Sequence, residues 1–113
     1  MEGVSVRDIV FVAFPFSDLS NHKLRPALVL ADAQRGDWIL CQITSKPYAD
    51  SSAIQISDGD FESGGLSLVS YVRRPAEIFT ASDSLIKKQV GKLTSSTHAK
   101  VLSTIRKILQ DGR

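Results

Sequence analysis

The sequence predicts a mainly β fold: a small barrel or sandwich of about five to seven short strands with one amphipathic helix at the C-terminus. Three observations carry this. Short runs rich in apolar and β-branched residues recur up to Leu93, parted by turn-forming clusters at roughly 8- to 12-residue intervals. After Leu93 the apolar spacing changes: Val101, Leu102, Ile105, Ile108 and Leu109 fall on one helical face. With 113 residues, 42% hydrophobic and 23% charged, the chain reads as one globular domain, 1–113, without an internal repeat or a dividing linker.

The elements follow in order. Asp8 to Phe14 (DIVFVAF) is dense in β-branched and aromatic residues and predicts the first strand. Pro15 and the polar run to Lys23 end it in a loop. Pro26 to Ala31 predicts a second strand, which Pro26 can only open or flank because it has no N–H for the ladder. Arg35-Gly36-Asp37 is a turn signal, and Trp38 to Thr44 is nearly continuous in apolar residues, as a central strand is.

Ser45 to Ser52, with Lys46-Pro47, predicts a loop, and Ala53 to Ile56 a short strand. The acidic stretch Ser57 to Gly65 predicts turns. Leu66 to Val72 and Ala76 to Thr80 predict two strands split by Arg73-Arg74-Pro75. Leu85 to Leu93 is compatible with a helical turn followed by a short strand. Thr94, Ser95 or Ser96 caps the final helix, and Gly112 stops it.

Composition excludes several kinds of chemistry. A single cysteine, Cys41, rules out a disulfide framework and a cysteine metal cluster, and its apolar strand marks it as buried and structural. With only His22 and His98 besides, no metal site is expected, and no cofactor. No phosphate-binding loop, dinucleotide fingerprint, zinc-protease motif or nucleophile elbow is present. No apolar run reaches the roughly 18 residues of a membrane helix, and no signal peptide is visible, so the expected location is the cytoplasm, away from membranes.

The net charge of +2 is unevenly spread: residues 1–60 carry 5 basic and 8 acidic side chains, residues 61–113 carry 9 and 4. A basic second half is compatible with a polyanionic partner, and equally with a solvated face of the last helix.

Two segments stand out chemically. In Lys23-Leu24-Arg25-Pro26 the proline holds Arg25 extended at a strand entrance, which suits a fixed contact with phosphate; the alternative is a surface Arg paired with a carboxylate such as Asp18. In Gln42-Ile43-Thr44-Ser45-Lys46 two hydroxyls and an ammonium at a strand exit can hydrogen-bond a phosphate; the alternative is ordinary turn chemistry.

Read together, Asp8–Val12, Phe14-Pro15-Phe16-Ser17-Asp18, Lys23–Leu30, Cys41–Ser45, Gly64-Gly65-Leu66, Ser70-Tyr71-Val72-Arg73 and Gly91-Lys92-Leu93 resemble, in register over nearly the whole chain, the MazF/PemK-type toxin ribonucleases. The resemblance implies a homodimer of SH3-like barrels that cleaves single-stranded RNA at preferred sequences without a metal. It also implies a cognate antitoxin as inhibitor, through which alone any DNA would be bound.

By that resemblance Arg25 and Thr44 are the catalytic pair. Ser45 and His22 are further candidates for catalysis or RNA positioning. Lys23, Pro26, Lys46, Arg73, Phe16 and Ser17 are the expected RNA contacts. RNA brings its own nucleophile, the 2′-hydroxyl, whose attack on the adjacent phosphate gives a 2′,3′-cyclic phosphate and a 5′-hydroxyl end. An Arg, which stays protonated far above neutral pH, suits charge stabilisation rather than base duty, and the resemblance also implies that it donates a proton. His98, in the first turn of the helix, is expected to be structural, and Trp38 and Phe61 to be core or interface residues.

The chain departs from the family pattern at Arg7, where relatives usually carry Gly, at Ala13, where they often carry an acid, and near Ser70, where some carry a carboxylate. Two alternatives stand beside the nuclease: a barrel that binds RNA or antitoxin without catalysis, and a toxin of the same fold that acts on a protein such as gyrase.

Overall fold

The computed structural model of the chain describes residues 3–14, 23–46, 51–73 and 77–112. The strands are β1 (Asp8–Phe14), β2 (Lys23–Gln34), β3 (Asp37–Thr44), β4 (Ile54–Ile56), β5 (Phe61–Gly64), β6 (Ser70–Val72), β7 (Ile78–Ser82) and β8 (Ile86–Leu93), followed by the helix α1 (Ser95–Asp111). They form one antiparallel sheet in the order β4-β6-β3-β2-β1-β8-β5, with β7 also on β3. The two end strands, β4 and β5, are consecutive in the chain and joined through a single 3-10 turn at Asp58–Asp60, so the sheet curls back on itself.

Both faces of the central strands are covered, which is why those strands read as nearly continuous apolar runs. Alternation along β1, β2 and β3 sends Ile9, Leu28, Leu30, Cys41 and Ile43 to one core, completed by Val101 and Ile105 of α1. The intervening Val10, Val12, Ala27, Val29 and Leu40 enter a second core with Val4, Ala81 and Ile86. The Cys41 thiol, fully buried, donates to the Arg73 carbonyl at 2.8 Å, a structural contact between β3 and the end of β6.

Thr94 is the helix cap: its hydroxyl accepts from the Thr97 N–H at 3.3 Å, and Gly112 ends α1 in the left-handed conformation at φ 70°. Arg7 also adopts a left-handed backbone, φ 81°, just before β1. That conformation favours glycine. Here the side chain compensates, with Nη1 donating to Glu62 at 3.0 Å and to the Leu93 carbonyl at 2.9 Å. Among the described residues no helix is long and apolar enough to cross a membrane.

Three expectations change. The second strand begins at Lys23, not Pro26. Leu66 to Val72 is not one strand: only Ser70–Val72 is, because β5 ends on β8 at Gly64 and β6 pairs β4, so the chain between must cross from one end of the sheet to the other. Within the stretch expected to be turns lies β5, which forms because the open edge of β8 offers it a ladder.

Candidate functional site

The site begins with the place where two strands part. β2 and β3 pair with Ala27 opposite Gln42 and Leu28 opposite Cys41, and pairing stops there. Two more steps in the same register would set Pro26 against Ile43 and then Arg25 against Thr44. Pro26 has no N–H to continue that ladder, and on this edge of β2 its lack costs no bond. Beyond it β2 stays with β1 (Pro26 opposite Phe11, Arg25 opposite Val12), while β3 continues with β6 (Ile43 opposite Val72, Thr44 opposite Tyr71).

A groove of about 260 Å³ opens where the two strands separate. Phe11, Pro26 and Ile43, on the sheet face that carries Ile9, Leu28 and Cys41, supply apolar lining. Lys23, Leu24, Arg25, Thr44 and Ser45 line it from the parted strands, and Leu66, Ser67, Leu68 and Ser70 from the crossing segment. Ser70 is buried, and its hydroxyl donates to the Leu68 carbonyl at 3.0 Å, which folds the segment into a wall.

Five of the residues singled out from the sequence therefore share one groove: Lys23, Arg25, Pro26, Thr44 and Ser45. The Thr44 hydroxyl accepts from the Lys46 N–H at 3.1 Å and lies 3.3 Å from the Lys46 carbonyl. That is turn chemistry at the strand end, and it fixes the hydroxyl while Thr44 lines the groove. Lys46 is exposed beside this turn. Arg73 lies outside the groove lining; its guanidinium faces Glu77 at 3.5 Å. Phe16, Ser17 and His22 lie outside the described residues.

The lining is cationic, hydroxylic and apolar: one guanidinium, one ammonium and the hydroxyls of Thr44, Ser45, Ser67 and Ser70. Among the described lining residues there is no carboxylate and no imidazole. Such a surface has the charge, hydroxyls and apolar area that could hold a phosphate and the flat face of a base. The wall residues Leu66, Ser67 and Leu68 were missed from the sequence because the segment reads as a strand. No local signal in the sequence marks them; in the fold Leu68 is 63% exposed, with Leu24 at 49% across the groove, large for apolar side chains.

Two other perturbed groups lie away from the groove. The Ser57 backbone N–H and the Thr97 hydroxyl, bonding to its carboxylate, hold Asp60 below the usual carboxylate pKa. Asp60 thereby ties the β4–β5 turn to the start of α1. Burial, with Arg7 and Lys92 nearby, pushes His98 below the usual imidazole pKa, as fits a structural residue.

Comparison with known proteins places this geometry. The family profile described as PemK-like, MazF-like toxin of type II toxin–antitoxin system matches residues 5–109. A Mycobacterial structure described as an endoribonuclease in complex with its cognate antitoxin superposes with TM-score 0.72 at 14% identity, covering 97% of this chain and 96% of that one. Mycobacterium tuberculosis toxin MazF-mt6 superposes at 0.70 with 18% identity, covering 92% and 97%. MazF from Deinococcus radiodurans superposes at 0.70 with 19% identity, covering 95% and 96%. Among curated proteins none matches the sequence.

Proposed function

Because this chain belongs to the PemK-like, MazF-like toxins of type II toxin–antitoxin systems, we propose that it is an endoribonuclease that cuts single-stranded RNA at preferred sequences and so arrests growth. The single observation that supports this best is the parting of β2 and β3 at Pro26, with Arg25 and Thr44 lining the resulting groove.

In the proposed reaction the RNA 2′-oxygen attacks the adjacent phosphorus while the bond from phosphorus to the 5′-oxygen breaks. One proton leaves the 2′-hydroxyl and one reaches the departing 5′-oxygen. The products are a 2′,3′-cyclic phosphate and a 5′-hydroxyl. Arg25 stabilises the charge that builds on the phosphorane, and it or Lys23 donates toward the leaving oxygen. Thr44, with Ser45, orients the phosphate through its hydroxyl. These side chains can supply positive charge and hydrogen bonds at the phosphate, so the scheme is metal-independent and needs no cofactor. The proton acceptor in this scheme is His22, which precedes β2 outside the described residues.

The assembly we propose is a cytoplasmic homodimer held inactive by a cognate antitoxin, as the Mycobacterial endoribonuclease is in complex with its own. The absence of a carboxylate or imidazole among the described lining residues favours one second reading, a barrel that binds RNA or antitoxin without cutting. One experiment separates them: long single-stranded RNA incubated in excess EDTA with the wild-type protein or with Arg25→Ala, followed by end mapping. Cleavage by wild type alone, leaving 5′-hydroxyl ends, is expected. Equal cleavage by both proteins would remove Arg25 from the mechanism, and no cleavage across a diverse RNA set would favour the binding barrel.

A further inference from the structure

The crossing segment has two sides. Leu66, Ser67 and Leu68 wall the Arg25 groove on one side and, on the other, a second depression of about 400 Å³ that also takes in Ile56, Asp58 and Phe61. The two depressions are thus adjacent, separated by three residues of backbone, and they differ in charge. Lys23 and Arg25 line the first, and Asp58 is the charged residue of the second.

That difference orients a nucleotide. A carboxylate repels a phosphate, so the sugar–phosphate chain belongs on the Arg25 side. What Asp58 attracts is an N–H donor. Large apolar side chains stand open beside it, with Val69 49% and Leu68 63% exposed, as suits the face of an unstacked base. The neighbouring carboxylate, Asp60, is already committed to the Ser57 N–H at 2.9 Å and the Thr97 hydroxyl at 2.8 Å. Asp58 is exposed in the same turn.

We propose that this second depression is a nucleobase subsite and that the Asp58 carboxylate makes it selective for guanine in the RNA strand held by the first groove. The inference rests on the reading of that groove as an RNA site. Its chemistry is that of the fork: guanine presents N1–H and the N2 amino group side by side, the arrangement by which a guanidinium meets a carboxylate. On the same edge adenine, cytosine and uracil each place an acceptor beside their donor, and a carboxylate rejects it. Asp58 is therefore a specificity residue that takes no part in bond breaking.

The test has two arms, each run on wild type, Asp58→Asn and Asp58→Glu, with melting temperature as the control for folding. In the first, a diverse RNA pool is cut and the ends are mapped. Wild type is expected to show guanine at one fixed distance from the cut, Asp58→Asn to lose that preference while still cutting, and Asp58→Glu to keep part of it. In the second, binding of non-cleavable 2′-O-methyl oligouridines carrying one guanine or one inosine is measured by fluorescence anisotropy. Inosine lacks the N2 amino group, and the expected weakening is on the order of tenfold for wild type and absent for Asp58→Asn. Cleavage without a guanine preference, or with the same preference in Asp58→Asn, overturns the subsite and leaves the nuclease standing. Guanine-dependent binding without cleavage overturns the nuclease and leaves the subsite. Absence of both overturns both.

Discussion

At position 7, glycine should be a better replacement than alanine, the reverse of the usual order inside a folded chain. Arg7 holds φ at 81°, a region that costs a non-glycine residue about 1–2 kcal/mol. Two contacts offset the strain. The ion pair to Glu62, at 3.0 Å and with Glu62 54% exposed, contributes at most about 1 kcal/mol. The charged hydrogen bond to the Leu93 carbonyl, at 2.9 Å and partly buried, contributes about 1.5–3 kcal/mol.

Arg7→Ala removes both contacts and keeps the strain, so it should cost about 2–3 kcal/mol. Arg7→Gly removes the contacts and the strain together, at the expense of extra freedom in the unfolded chain, and should remain about 0.5–1 kcal/mol more stable than Arg7→Ala. Equilibrium urea unfolding at pH 7, with equal m-values, measures the difference directly. If Arg7→Ala proves as stable as Arg7→Gly or more so, the backbone at residue 7 is not strained and the argument fails. If Arg7→Ala matches wild type, the two contacts carry nothing.

Three further outcomes are expected. Gly64→Ala would place a Cβ 2.1 Å from the Val90 carbonyl oxygen and 2.6 Å from the Gly91 Cα, at φ 65°; the loss should exceed about 3 kcal/mol by urea unfolding, or the protein should fail to accumulate folded. His98 has its folded pKa lowered by burial and by Arg7 and Lys92, so the unfolded chain binds the proton more readily; its share of stability is present above about pH 6.5 and is lost as pH falls below that. His98→Leu should flatten the unfolding midpoint between pH 6.5 and 5, and an unchanged slope would mean that His98 does not set it. Thr44→Val, nearly isosteric, should lower RNA cleavage on the order of tenfold to a hundredfold and shift stability by less than about 1 kcal/mol, as read from single-turnover rates beside a melting curve.

Much of the architecture is written locally. The span of β1, the stop at Gly112 and the inward face of Val101 and Ile105 follow from nearest neighbours and from periodicity; of Thr94, Ser95 and Ser96 the structure makes Thr94 the cap, and it leaves Leu109, expected on the apolar face, 65% exposed in the last turn of α1. Leu85 to Leu93, read as a helical turn followed by a short strand, is strand from Ile86 onward, and the helical turn, Asp83–Leu85, lies before it. The chemical types of the groove were legible as well, because Arg before Pro and hydroxyls at a strand exit restrict what those side chains can do.

What depended on the whole chain was which edge meets which. β5 exists because β8, about 25 residues later in the sequence, leaves an edge open to it. Leu66–Val69 is a wall rather than a strand because its two ends belong to opposite ends of the sheet. The left-handed backbone of Arg7 is held by groups on Glu62 and Leu93, which no local propensity can see. Most of all, Arg25 and Thr44 line one groove because the β2–β3 ladder stops at Ala27 and Gln42. The sequence by itself determined most of the strands, the helix and its stop, and the kinds of side chain at the site. Tertiary pairing decided which of those side chains share a groove, because register is a relation between distant segments, and a single proline can end it.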